Sequence, residues 1–134
     1  MSIARRALPQ TPLPMTRAAW SALQAEARRG PLDGVHRRDH DLALRLETID
    51  EVLRSGTVVD ERGMGAIGRR VTFREEDGAR MTVSLVIPGD GDPRQGWISV
   101  DAPLGQALLY ARAGDTVTVR APAGERAVLV EAVD

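Results

Sequence analysis

The chain has 134 residues, of which 43% are hydrophobic, and its formal net charge is -1 at pH 7. This length suits one ordinary domain or two small ones, and a nearly neutral charge argues against a dedicated nucleic-acid-binding protein. The sequence has no Cys and no Lys, so disulfides, thiolate metal ligands, Cys nucleophiles and Lys Schiff bases are excluded.

The first half of the chain has the pattern of a helical hairpin. Residues 1–14 contain three prolines and no periodic pattern, which predicts a flexible tail. Thr16 is a favourable N-cap for a first helix, and Gly30-Pro31 ends it. In the second helix, apolar residues alternate at spacings of four and three to form a coiled-coil seam of Leu42, Leu46, Ile49 and Leu53. The short connection implies antiparallel packing, so residues 15–60 are predicted to form a short antiparallel coiled coil.

The second half, residues 61–134, has the pattern of a β-sheet domain. Glycines at 63, 65 and 68 mark a linker, beyond which the apolar period changes from 3.6 to 2. Strands are predicted at 69–74, 80–87, 96–100, 116–120 and 126–131, the last two joined by a Pro122-Ala123-Gly124 turn. A short helix is predicted at 103–111, with Pro103 at its start. A helical hairpin followed by a sheet with one short helix is an α+β fold.

Several motifs resemble the GreA/GreB transcript-cleavage factors and their relative Rnk. Met15-Thr16 resembles the opening of these proteins, and Val58-Val59-Asp60 resembles the motif that closes their second helix. The strongest match is the run Ile98-Ser99-Val100-Asp101-Ala102-Pro103-Leu104-Gly105, in which Ala102 replaces a common Ser. The resemblance implies an FKBP-like C-terminal domain over residues 61–134 and bacterial RNA polymerase as the partner.

The same resemblance implies a docking role for the last of these motifs. The family places its C-terminal domain at the rim of the polymerase secondary channel, and the matching docking residues are Ser99, Asp101, Pro103 and Leu104. A local structural role is compatible with docking: Ser99 and Asp101 have side chains suited to capping the next helix, and Pro103 to starting it.

The predicted arm departs from the family pattern. About ten residues are missing from each helix relative to long family members, which shortens the arm by about 15 Å. The acidic Asp-Leu-x-Glu-Asn tip motif of the cleavage-active members is absent, and the tip carries Asp33, His36, Asp39 and Asp41. We therefore expect a polymerase-binding transcription regulator that lacks transcript-cleavage stimulation and is not an enzyme. The alternative is a cleavage factor in which Asp33, Asp39 or Asp41 replaces the missing acids.

Other chemistries have weaker support. His36 and His40 have the i, i+4 spacing of metal ligands, but this pairing is common, and we expect a solvated tip without metal or cofactor. Peptidyl-prolyl isomerase activity, a second alternative, needs an aromatic-lined pocket, whereas the sheet domain has only Phe73, Trp97 and Tyr110. No apolar run approaches the roughly 18 residues of a membrane span, and no secretory h-region is present. We expect a cytoplasmic protein without sequence-specific DNA binding and leave its oligomeric state open.

Overall fold

The structure is a computed structural model, and it describes residues 12–29, 40–59 and 62–134. In chain order the first four elements are β1 (Leu13–Met15), α1 (Arg17–Arg29), α2 (His40–Ser55) and β2 (Gly56–Val58). The remaining elements are β3 (Arg70–Arg74), β4 (Arg80–Val86), a 3₁₀ turn (Pro93–Gln95), β5 (Trp97–Ser99), α3 (Pro103–Leu108), β6 (Thr116–Ala121) and β7 (Gly124–Val133). The predicted α+β fold is confirmed.

Helices α1 and α2 form an antiparallel hairpin. The backbone N–H of Ala19 donates to Thr16 Oγ1 over 3.1 Å, the expected cap of α1. Glu26, near the end of α1, contacts Arg45, near the start of α2. At the opposite end, a Cβ placed on Gly56 would lie 3.3 Å from the Trp20 side chain. The helices therefore run in opposite directions, and their 13 and 16 residues give lengths of about 20 and 24 Å.

The buried side of the hairpin differs in part from the predicted seam. Ile49 is fully buried, as expected, and Leu46 and Leu53 are partly buried. Val52 is also fully buried, although the seam pattern did not include it. A helix that packs against a whole domain needs a wider apolar stripe than the two-position seam of a coiled coil, and Val52 lies on that wider stripe.

Strand β1 corrects the predicted tail. Leu13 and Pro14 were expected in a flexible segment, yet β1 pairs in parallel with β2, and Leu13 and Met15 are 0% exposed. The carbonyl of Pro14 accepts the N–H of Ile67 over 2.9 Å, a bond that needs no N–H from proline. The described start of the chain is therefore built into the base of the hairpin, and residues 1–11 lie outside the described part.

The remaining strands form a five-stranded sheet in the order β5-β4-β3-β7-β6. β4 and β5 pair in parallel, and the other neighbours pair antiparallel, with a register shift between Thr72 and Phe73 in the β3–β7 pair. The alternation predicted for β4 holds for Val83, Leu85 and Ile87, which are buried, while Met81 at the strand's start is 49% exposed. β6 and β7 turn at Pro122-Ala123, with Gly124 at φ 135, where a glycine is favoured.

One hydrophobic core joins the hairpin base to the sheet. It includes residues of β1 and α2, the inner face of the sheet and α3, represented by Leu13, Ile49, Phe73, Val128 and Leu108. α3 ends at Leu108, earlier than the predicted residue 111, because Tyr110 has a φ of 67 and cannot continue a right-handed helix. Within the described ranges, no helix is both long and apolar enough to cross a membrane.

Candidate docking site

The candidate docking loop connects β5 to α3. Ser99 is the last residue of β5, one residue before the predicted end of that strand, and Pro103 is the first residue of α3, as the sequence predicted. The N-cap position is Ala102, which makes no side-chain capping hydrogen bond. The expectation that Ser99 or Asp101 caps α3 is therefore wrong, because neither residue occupies the position from which a side chain caps the first turn.

Ser99 and Asp101 instead bond to each other. The Ser99 hydroxyl donates to Asp101 Oδ1, and the Asp101 N–H lies 3.4 Å from Ser99 Oγ. The carbonyl of Asp101 also accepts the side-chain amide of Gln106 over 3.3 Å. These contacts hold the loop in one conformation while both side chains stay partly exposed. Leu104, the fourth predicted residue, is partly buried and packs on the core.

Gly105 allows α3 to pack directly on the end of β5. A Cβ at this position would lie 2.0 Å from the carbonyl oxygen of Ser99 and 2.9 Å from Val100 Cα. Such distances are too short for any side chain, so only glycine permits this contact. Gly105 therefore determines how closely α3 approaches the end of β5, and this gives a structural reason for the glycine of the motif.

An exposed tryptophan lies beside the loop. Trp97 is 39% exposed and lies two residues before Ser99, hence on the same face of β5. The N–H and carbonyl of Trp97 pair with the carbonyl and N–H of Asp92 over 3.0 and 2.8 Å. These bonds hold the backbone at Trp97, and tryptophan is enriched at protein-binding surfaces.

Arg45 links the hairpin to the sheet domain. Its Nε lies 2.5 Å from Glu26 Oε2, its Nη2 donates to Glu26 Oε1 over 3.1 Å, and its Nη1 donates to Asp90 Oδ1. The hydrogen bond from Arg45 is the main reason that the pKa of Glu26 lies below its ordinary value. Hydrogen bonds to Glu26 and Asp90 likewise raise the pKa of Arg45.

Most of the predicted tip lies outside the described residues. This applies to Asp33, His36 and Asp39, while His40 and Asp41 begin α2 with side chains that are not described. In the ranges 12–29, 40–59 and 62–134, no group of three or more His, Cys, Asp or Glu side chains is placed to hold a metal ion.

Sequence reasoning missed two features of this region. The first is the close approach at Gly105, for which the only signal was a glycine within a predicted helix. The second is the contact of Arg45 with Glu26 and Asp90, which are 19 and 45 residues away in the sequence. Charge spacing within one helix reports neighbours three and four residues apart, so it carries no signal for such contacts.

Comparison with known proteins identifies relatives of this chain. Residues 64–134 match the family described as transcription elongation factor, GreA/GreB, C-term. Transcription elongation factor GreA of Listeria monocytogenes serotype 4a (strain HCC23) is 34% identical over 94 residues, which cover 66% of this chain and 59% of that protein. GreA of Chloroflexus aurantiacus is 40% identical over 85 residues, covering 60% of this chain and 54% of that protein.

A solved structure supports the fold. The prokaryotic transcription elongation factor GreA/GreB from Nitrosomonas europaea is 23% identical, with a TM-score of 0.50, and the match covers 90% of this chain and 96% of that one. In sequence, by contrast, this chain spans about 59% of the length of the Listeria relative.

The comparisons correct one prediction. We expected a protein that is not an enzyme, but the relatives are named transcription elongation factor GreA, and such factors stimulate transcript cleavage. The expectation rested on the missing acidic motif at the tip. Any carboxylates that come within reach of a metal ion can coordinate it through their oxygen atoms. The absence of one acidic motif is therefore a weak reason to exclude a role in transcript cleavage.

Proposed function

Because this chain belongs to the GreA/GreB family of transcription elongation factors, we propose that it is an elongation factor that binds bacterial RNA polymerase through its sheet domain. The observation that carries this proposal is the family match over residues 64–134. That range contains the whole β5–α3 connection with its candidate docking residues. The domain through which the family docks is thus the part of this chain with the clearest relationship.

The contact surface in this proposal is the docking loop together with Trp97. Ser99 and Asp101 form a hydrogen-bonded pair of polar groups. Pro103 restricts the backbone where the loop enters α3, and Trp97 adds a partly exposed aromatic side chain beside them. Polar groups held in one geometry lose little entropy on binding, and a central Trp commonly contributes most of the affinity. Docked at the rim of the secondary channel, the domain would direct the hairpin toward the active centre.

Displacement of labelled GreA from core RNA polymerase tests the docking. The unmodified protein is expected to compete, and Asp101→Arg to weaken competition at least tenfold, because the charge reversal destroys the Ser99–Asp101 pair at the surface. Glu125→Arg is the matched control, since Glu125 lies on the exposed β6–β7 hairpin with only Arg120 as its ion-pair partner in the described residues. Equal competition by Asp101→Arg and the unmodified protein would show that the loop is not the docking surface.

A second candidate function is stimulation of transcript cleavage by the polymerase, which the names of the relatives favour. In this candidate, three acids of the predicted tip, Asp33, Asp39 and Asp41, help to hold a catalytic metal ion at the polymerase active centre. The assay is RNA cleavage in a backtracked elongation complex with Mg²⁺.

Stimulated cleavage that is lost in the triple Asp→Asn variant, but kept in Asp50→Asn, would support this second function. Asp50 is a suitable control because it lies on α2 in an exposed ion pair with Arg54. No stimulation by the unmodified protein would refute it and would leave the docking proposal intact.

A further inference from the structure

An ion-pair cluster touches the hairpin well away from its base. Arg45 lies ten residues before the end of α2 at Ser55, or about 15 Å along the helix. Its partner Glu26 is on α1, and its other partner Asp90 is in the loop between β4 and β5. The sheet domain therefore contacts the arm at two levels, through the core at the base and through this cluster further out.

The cluster has a defined geometry. Arg45 uses Nε and Nη2 for the two carboxylate oxygens of Glu26, which leaves Nη1 for Asp90. The side chains of Arg45, Glu26 and Asp90 are 33%, 26% and 32% exposed, so they are partly shielded from solvent. A planar guanidinium held by a two-point contact fixes the direction in which its third group points.

The loop that carries Asp90 is tied to the docking strand. The N–H of Asp90 donates to the carbonyl of Ile87 over 3.1 Å, and Asp92 pairs with Trp97 through both backbone groups. A Cβ on Gly91 would lie 3.4 Å from Ser99 Cβ, so the loop passes close beside the docking residue. The loop that carries Asp90 therefore lies next to Ser99 on one side and contacts Arg45 on the other.

We propose that Arg45 is a positioning residue that braces the hairpin against the loop of residues 87–96 and so sets the direction of the arm relative to the docking loop. Partly buried ion pairs add little net stability, but they can select one arrangement among several. Without the contact to Asp90, the hairpin keeps its base in the core and gains freedom to tilt. The consequence for transcription rests on the proposed function, whereas the brace itself does not.

The brace can be measured without polymerase. The chain has no Cys, so Ala43→Cys on α2 and Thr118→Cys on β6, both at exposed positions, can carry two spin labels. We expect one narrow distance distribution in the labelled parent, a broadened or shifted one in Asp90→Asn, and recovery in Asp90→Glu, which restores the charge. Asp50→Asn is the control that removes an ion pair from α2 alone. An unchanged distribution in Asp90→Asn would overturn the proposal.

Polymerase assays then separate bracing from docking. Asp90→Asn is expected to displace GreA with an affinity within twofold of the parent. Its stimulation of RNA cleavage in a backtracked complex, which depends on the arm, is expected to fall at least fivefold and to recover in Asp90→Glu. Parallel loss of binding and effect would overturn the proposal, because Asp90 would then be a contact residue. If the spin-label result holds while the parent fails to bind polymerase, the proposed function fails and the brace stands.

Discussion

At the scale of single residues, the conformation of the docking loop depends on close backbone contacts between α3 and the end of β5 as much as on polar side chains. The resemblance to a known motif singled out Ser99, Asp101 and Pro103, and the structure places all three in one loop. The reason for the glycine that follows could not be read from the sequence. It depends on the carbonyl of Ser99, which lies 2.0 Å from where a Cβ of Gly105 would be.

Gly105→Ala is therefore expected to lower the free energy of unfolding by about 1–3 kcal/mol, the usual cost of overpacking, because the backbone of β5 must move away from α3. Urea denaturation followed by tryptophan fluorescence measures the change. Gly91→Ala is the matched control, since its nearest neighbours lie at ordinary contact distances of 3.4 Å or more, and we expect a change within about 0.5 kcal/mol. Equal effects of the two substitutions would contradict the argument from backbone contact.

At the scale of elements, the sequence predicted the regular segments well and the short pairings poorly. Strands with period-2 alternation, such as β4, and the helix that contains Ile49 were found where the pattern placed them. β1 was missed because a three-residue strand with a proline at its centre has no measurable period, and its partner β2 lies about 43 residues further along the chain. Such a strand is defined by its pairing with a distant segment, and the hydrophobic pattern of neighbouring residues does not report that pairing.

The burial of β1 leads to a test of its contribution. Leu13→Ala should lower the free energy of unfolding by about 2–5 kcal/mol, because Leu13 is 0% exposed and its removal leaves a cavity beneath the hairpin base. Leu44→Ala, at a position on α2 that is 47% exposed, should cost much less. Thermal and urea unfolding of both variants provide the comparison. Similar small losses would mean that residues 12–14 behave as a tail after all.

At the scale of the whole molecule, the hairpin and the sheet domain share one core and one charged cluster. The sequence divides the chain near residue 60, where the period changes, but Leu13 and Ile49 belong to the same core as Phe73 and Val128. Hydrophobic patterning predicts which residues are buried without predicting which element covers them. The contact between Arg45 and Asp90 likewise could not be predicted from the sequence, because Arg and Asp are both found mostly on exposed surfaces.

The charged cluster makes stability depend on pH. The pKa of Glu26 is lowered in the folded protein, first of all by the hydrogen bond from Arg45, so its contribution is complete above the ordinary Glu pKa of about 4.3 and is lost as the pH falls through the lowered value. Glu26→Gln should therefore destabilise the protein by about 1 kcal/mol at neutral pH and by progressively less below about pH 4. Urea unfolding of both proteins between about pH 3 and pH 7 measures this difference. Glu125→Gln, in the exposed pair with Arg120, is the control, with an expected change within about 0.5 kcal/mol at neutral pH. A penalty for Glu26→Gln that stays constant over the whole range would mean that its carboxylate is not held by Arg45 in solution.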